Sequence, residues 1–181
     1  MLQVSKLLAA GQGLSSVLLR RAATIELDWD VRQKSRFDAT DSQGRHIGVF
    51  LPRGTVVRGG DVLVAEDGSL IAVRAAPQPV LVITHCSQHG TPFDLTRAAY
   101  HLGNRHVPVQ VGDGFLRFGR DHVLGEMVRG LGLAVIEIDA PFEPESGAYG
   151  GHGGHAHPYG HSADGEGRGP RIHDMLVTPR R

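Results

Sequence analysis

The strongest constraint on how this chain folds lies in residues 80–138, where the hydrophobic period switches repeatedly between two and 3.6. Val80-Leu81-Val82-Ile83-Thr84 is an apolar run of strand length. Thr91-Pro92-Phe93-Asp94 has the signature of a helix start: Thr91 to cap the free amides, Pro92 where no amide is needed, Asp94 in the first turn. Leu95, Ala98, Ala99 and Leu102 then follow at i, i+3, i+4 and i+7, one apolar stripe. Gly103 stands where a helix C′ residue belongs, since glycine takes the left-handed conformation at no steric cost. His106 opens the next extended run, Val107–Val111, followed by a Gly112-Asp113-Gly114 turn and a return strand, Phe115–Phe118. Asp121 caps a second helix with Leu124, Met127, Val128 and Leu131 as its buried face and Gly132 at C′. Leu133–Ile138 is the last strand.

The resulting order, β-α-β-β-α-β, predicts the split βαβ arrangement known as ferredoxin-like. The first 75 residues carry a different period. Ala22–Trp29 alternates apolar and polar, and Ile47–Leu51, Val62–Val64 and Leu70–Val73 are short strands. Asp41-Ser42-Gln43-Gly44, Pro52-Arg53-Gly54, Gly59-Gly60-Asp61 and Asp67-Gly68 punctuate them. Such spacing predicts a small sheet pair or barrel. The basic run Arg32-Gln33-Lys34-Ser35-Arg36 reads either as a solvated turn or as a contact surface for a protein partner. Ala75-Ala76-Pro77-Gln78-Pro79 reads as a semi-stiff connector and places a domain boundary. Past Pro141 the core-forming pattern stops, and residues 146–170 hold too few large apolar groups to offset chain entropy, which predicts disorder. Ile172-His173-Asp174-Met175-Leu176 is apolar enough to dock. The expected fold class is therefore α+β, with a small all-β barrel or sandwich at 1–76, a ferredoxin-like domain at 79–141 and a His-rich, mostly disordered tail at 142–181.

Composition removes several functions. Lys+Arg and Asp+Glu are both 19, so the chain lacks the basic footprint that nucleic acid requires and has no electrostatic pull toward an anionic membrane. A single cysteine, Cys86, forbids an intramolecular disulfide and an all-cysteine zinc site. No apolar run is long enough to span a bilayer. The Met1–Arg21 segment has no basic n-region and is interrupted by Lys6, Gly11, Gln12 and Gly13, unlike a signal peptide, so a cytoplasmic location is the default expectation.

The excess lies in glycine and in histidine, with eleven of the latter. His152, His155, His157 and His161 sit in an irregular Gly-, Pro- and Tyr-interleaved tract, with His173 beyond it. Neutral imidazole is a good donor to nickel, copper and zinc, and intervening glycines let a chain wrap a cation. A tract of this kind does not by itself discriminate geometry. His106, between a helix and a strand, is the histidine best placed on rigid elements. One imidazole per chain makes a poor site, whereas two facing each other across a two-fold axis make a start. His122, at the second helix N-terminus, is either a further ligand or a bystander kept neutral by the helix dipole. His85 and His89 flank Cys86 and could form a site, though such a loop is more often structural. His46 and His101 read as surface residues.

Four separated segments carry a family resemblance. Ala99-Tyr100-His101-Leu102-Gly103-Asn104-Arg105-His106 resembles the GNRH-type segment of UreE, the nickel metallochaperone family of urease maturation. Arg32–Arg36 and Phe50-Leu51-Pro52-Arg53-Gly54-Thr55 look like that family's N-terminal domain, Asp121-His122-Val123-Leu124 like its second helix, and the His-rich tail matches as well. The resemblance implies a homodimer joined through the ferredoxin-like domain, with a tetramer on metal binding left open. It implies that His106 pairs with its symmetry mate on nickel(II), carried as cargo, that His173 completes that site, and that the tail recruits metal. Zinc(II) and copper(II) compete, because imidazole serves all three. It further implies that the N-terminal domain contacts urease apoprotein or its other accessory proteins, the GTPase among them. Some members carry a histidine where this chain has Arg120, which puts a second site at His122 in doubt. Two other readings compete with a carrier that donates nickel to apo-urease. One is a general store of divalent metal acting through the tail. The other is a metal-dependent hydrolase, disfavoured because the chain has no His-Glu-x-x-His, carboxylate pair near a histidine or nucleophile elbow.

Overall fold

The computed structural model describes residues 1–146. The expected disorder of the tail, the docking of residues 172–176, and the histidines His152, His155, His157, His161 and His173 all lie outside the described residues.

The N-terminal half is a single six-stranded sheet. Its strands are β1 (Leu2–Leu8), β2 (Ala23–Leu27), β3 (Arg36–Thr40), β4 (His46–Phe50), β5 (Val62–Ala65) and β6 (Leu70–Ala75), in the spatial order β2-β6-β5-β1-β4-β3. The two edge strands approach each other: the Ser42 amide donates to the Thr24 carbonyl at 2.7 Å and the Thr24 amide to the Ser42 hydroxyl at 2.9 Å. The sheet therefore curls into a nearly closed barrel, which protects edges that would otherwise template aggregation. Inward residues at alternate positions, among them Val4, Ile25, Ile47, Val49, Leu63, Ile71 and Val73, fill it. Two α-helical pieces, and a 3-10 turn at Ala9–Gly11, interrupt the strands where the sequence reading expected only β structure. Helix α1 (Ser16–Arg21) is capped by Ser15, and the single turn α2 (Trp29–Arg32) by Asp28, whose carboxylate accepts from the Val31 amide at 2.8 Å. Strands β1 and β3 were also not anticipated. β3 shows half-buried alternation with Phe37 as its one large apolar residue, and β1 pairs in parallel with β4 across a long sequence separation.

The second sheet comprises β7 (Pro77–Thr84), β8 (Val109–Gly112), β9 (Phe115–Gly119) and β10 (Ala134–Pro141), ordered β10-β7-β9-β8 and antiparallel throughout. Helices α3 (Pro92–Gly103) and α4 (His122–Gly130) are the crossovers. Leu81, Ile83, Leu116 and Phe118 point to the helical side, where Ala98, Leu102 and Val128 bury their stripes. The start of α3 is a complete capping box: Thr91 Oγ1 accepts from the Asp94 amide and the Asp94 carboxylate accepts from the Thr91 amide at 3.0 Å. The Thr91 hydroxyl and amide hold the Asp94 carboxyl below its ordinary pKa.

The expected connector at residues 75–79 is absent. β6 ends at Ala75 and β7 already begins at Pro77, with Pro77 opposite Pro141 and Pro79 opposite Asp139. Both prolines precede the ladder to β9, which begins at Val80, so their missing amides cost β9 no bond. The junction has an apolar cluster of its own, Trp29, Val80, Val82, Ala140 and Phe142, joined by Val56 and Phe115. Trp29 comes from the first half and packs edge-on to Phe142 at 6.2 Å. Neither reading of the basic run holds for Arg32. That guanidinium is fully buried, donating to Leu27 O at 3.0 Å and Phe142 O at 2.5 Å and pairing with Glu143 at 2.7 Å.

Candidate functional site

The turn between α3 and β8 departs from the sequence expectation at one residue. Gly103 ends α3 with no left-handed backbone, and the residue with positive φ is His106, at 56°. The hydrogen bonds show why. The His106 amide donates to Gly103 O at 2.9 Å and the Val107 amide to Leu102 O at 3.2 Å. These are the paired 5→2 and 6→1 bonds of a Schellman motif, with His106 in the C′ position that glycine usually takes. Val107 and Leu102, the two ends of the longer bond, lie in one apolar cluster, as that motif favours. Strand β8 consequently starts at Val109 rather than at Val107. A left-handed residue with a Cβ costs about 1 kcal/mol, although histidine tolerates the region better than most. The cost is held by the buried anchor Leu102 on one side and the strand on the other.

His106 is exposed and lines a cavity of about 630 Å³ where the two halves of the described chain meet. Arg105, Val107 and Pro108 line it from the same turn, Arg120, Asp121 and Leu124 from the start of α4, and Trp29, Gln78 and Phe142 from the junction. With Asp30 beside Trp29, one imidazole, two guanidiniums and two carboxylates thus line it together with apolar groups. Among the described residues no three His, Cys, Asp or Glu side chains cluster closely enough to hold a metal ion. An ion at His106 therefore needs donors from another subunit or from beyond residue 146.

The other candidates separate. His122 is the first residue of α4, exposed, and does not line the cavity. Arg120 pairs with Glu137 at 3.1 Å, so part of the charge expected to repel a cation near His122 is offset, though both groups are exposed and the offset is small. His46 is exposed at the start of β4, and His101 is half-buried, edge-on to Tyr100 at 5.5 Å. Cys86 and His89 close a tight turn, with Cys86 Sγ 3.3 Å from His89 Nδ1. The backbone at Gln88 and the His89 ring hold the exposed thiol below its usual pKa, and His85 adds no third ligand.

The sequence reading missed Glu143. Its carboxylate receives Arg32 Nη1 at 2.7 Å, the Gly59 amide at 2.8 Å and Arg58 Nη1 at 3.4 Å. Arg58 also lies over the Trp29 ring at 5.0 Å, with Arg32 over the same ring at 5.4 Å. No periodicity signals such a long-range pair. The only sequence hint was an acidic residue directly after the last core aromatic, Phe142.

With this geometry established, comparison with known proteins is informative. Residues 4–76 match the model of the UreE urease accessory protein N-terminal domain, and residues 78–169 that of its C-terminal domain. A urease accessory protein UreE of Albidiferax ferrireducens is 68% identical over 166 residues, 92% of this chain and 92% of that protein. The one from Paracidovorax citrulli is 70% identical over 154 residues, 84% of this chain and 73% of that protein. The one from Methylibium petroleiphilum is 71% identical over 150 residues, 83% of this chain and 69% of that protein.

Proposed function

Because the chain belongs to the UreE family of urease accessory proteins, we propose that it is a nickel metallochaperone that binds Ni(II) between two subunits and donates it to apo-urease. As an accessory protein it serves urease maturation and is not itself an enzyme. His106 of each subunit is the central ligand. His173 completes the site, and His152, His155, His157 and His161 collect metal for it, with His122 as a peripheral ligand. Zinc(II) and copper(II) compete for the same donors. The split βαβ reading of residues 79–141 is supported by the β10-β7-β9-β8 order, with both crossovers helical. That domain forms the homodimer, residues 1–76 meet urease and its other accessory proteins, the GTPase included, and residues 142–181 carry the collecting tail.

One observation carries the proposal. His106 is an exposed imidazole held in a left-handed conformation at the end of a well-capped helix, and the described residues of one chain supply no second and third ligand beside it. Strain of this kind persists where the side chain has a use that offsets it. A half-built site on a rigid support is what a carrier needs, because a complete cage would retain its cargo.

The test is calorimetric titration of the full chain with Ni(II), alongside mass measurement in solution. The expected result is one tight site per dimer plus weaker ions. His106→Ala is expected to abolish the tight site and leave the weaker ions. If His106→Ala keeps the tight site and keeps urease activation, the carrier role of that residue is wrong, and storage through the tail becomes the better description.

A further inference from the structure

We propose that residues 32–36 and 50–55 form one docking surface, with Phe50 at its centre and Lys34, Arg36 and Arg53 around it, and that it receives an acidic segment of a protein partner bearing an apolar side chain. This names the surface and the chemistry of the partner contact given above to residues 1–76, and rests on that reading.

The two segments are separate in sequence and meet at Ser35. Its carbonyl accepts from the Leu51 amide at 2.8 Å, and its hydroxyl from the Gly54 amide at 3.2 Å. Next to it, Arg36 stands opposite Phe50 in the β3–β4 ladder. The Thr55 amide donates to Pro52 O at 3.1 Å and Gly54 has φ 82°, which is a type II turn with glycine at its left-handed position. Arg53 sits at the tip of that turn, and the Ser35 hydroxyl pins the turn to the residue preceding Arg36. Along β4 the side chains alternate. Ile47, Val49 and Leu51 are buried in the barrel, whereas Phe50 points outward and is 45% exposed. A Cβ on Gly48 would meet Phe50 Cε2 at 3.1 Å and Met1 Cε at 3.0 Å, so the bare glycine lets both side chains rest directly on the strand.

Charge decides what fits there. Arg32 turns inward, but Lys34, Arg36 and Arg53 are exposed, and among the described residues none of these three has an ion-pair partner. Neither segment contains an aspartate or a glutamate. The acidic residue nearest in the ladder is Asp38, exposed and opposite Gly48, one carboxylate against three cations. Surfaces ordinarily intersperse the two signs, because like charges held together repel. In a chain of zero formal net charge this excess is local, and an acidic segment offsets it. Three cations make too small a basic footprint for nucleic acid. An exposed aromatic ringed by arginine and lysine instead has the make-up of a protein contact, an apolar anchor within a charged rim.

The experiment measures binding of the full chain to urease apoprotein assembled with its other accessory proteins, at low and high salt, with Ni(II) calorimetry and thermal melting of every variant. Lys34→Glu, Arg36→Glu and Arg53→Glu combined are expected to weaken docking by about 30-fold or more and to remove most of its salt dependence. Phe50→Ser is expected to weaken it about ten-fold and keep the salt dependence. Both keep the fold and the Ni(II) affinity, since the replaced side chains are exposed and none is a metal donor. The control is Arg20→Glu with Arg21→Glu, two exposed cations at the end of α1, which is expected to leave docking unchanged. An equal loss in the control means that only overall charge matters. Undiminished docking of the triple variant means that the partner sits elsewhere. Tighter binding of the chain to duplex DNA or to anionic lipid vesicles than to the urease assembly means that the cations serve phosphate. Each of these results overturns the inference. Failure of the nickel reading shows separately, as a tight Ni(II) site that survives His106→Ala, and leaves the docking measurement untouched.

Discussion

Helices α3 and α4 lie on the same face of one sheet and end differently. Each leaves through a left-handed residue bonded to the carbonyl three positions back: His106 to Gly103 at 2.9 Å, and Gly132 to Arg129 at 2.9 Å. At α4 the residue is glycine, with φ 84° and nothing within 4 Å of where a Cβ would sit. At α3 it is histidine, with φ 56°. The two ends solve the same backbone problem, and the second uses the costlier residue. The His106 side chain itself does not help hold the turn: it is exposed, and its ring has no hydrogen-bond partner among the described residues. The difference separates a residue chosen for its backbone from one kept for its side chain. Under the proposed function the α3 end carries the metal ligand, which places the GNRH-type segment at a helix C-terminus.

That contrast can be broken or sharpened by exchanging the residues. The largest effect is expected from His106→Gly. It should remove the tight Ni(II) site, a loss of at least about 100-fold in affinity, without unfolding the chain, because glycine suits the conformation. Retention of tight binding would falsify the contrast. Next is Gly132→Ala, which should cost about 1 kcal/mol of stability, measured by denaturant melting, and leave Ni(II) affinity unchanged. The added Cβ meets open space, so the cost is conformational alone. If this variant weakens nickel binding, the α4 end is also part of the site. The smallest expected change is at Gly103, which has ordinary helical backbone and an open Cβ position. Gly103→Ala should stabilise the protein by about 0.5 kcal/mol, the ordinary helix gain. A loss instead would show that this glycine is needed for close approach of another chain.

Much of the architecture was legible because it rests on local signals. The Thr91-Pro92-Asp94 start, the Leu95-Ala98-Ala99-Leu102 stripe, the Asp121 cap, and the β5 and β6 strands are each set by spacing within one or two turns of chain, and each is observed. Missing from that reading were features set by distant partners. β1 needs β4 and β5, β3 needs β4, and the Pro77–Pro79 stretch is a strand only because β10 pairs with it. Arg32 looked like a surface charge, since a single sequence cannot show that Glu143 and two carbonyls await it.

The sequence by itself determined the helix starts, the apolar faces, the family and the choice of His106 as the residue to watch. Those follow from short-range periodicity, capping chemistry and a motif read in one stretch. Only the tertiary structure decided that His106 rather than Gly103 carries the left-handed turn, and that Arg32 is interior. It also showed that residues 141–146 are strapped between the two sheets. The physical reason is that backbone conformation at a helix end and burial of a charge are both set by which distant groups accept hydrogen bonds, and those groups are fixed only when the sheets have closed.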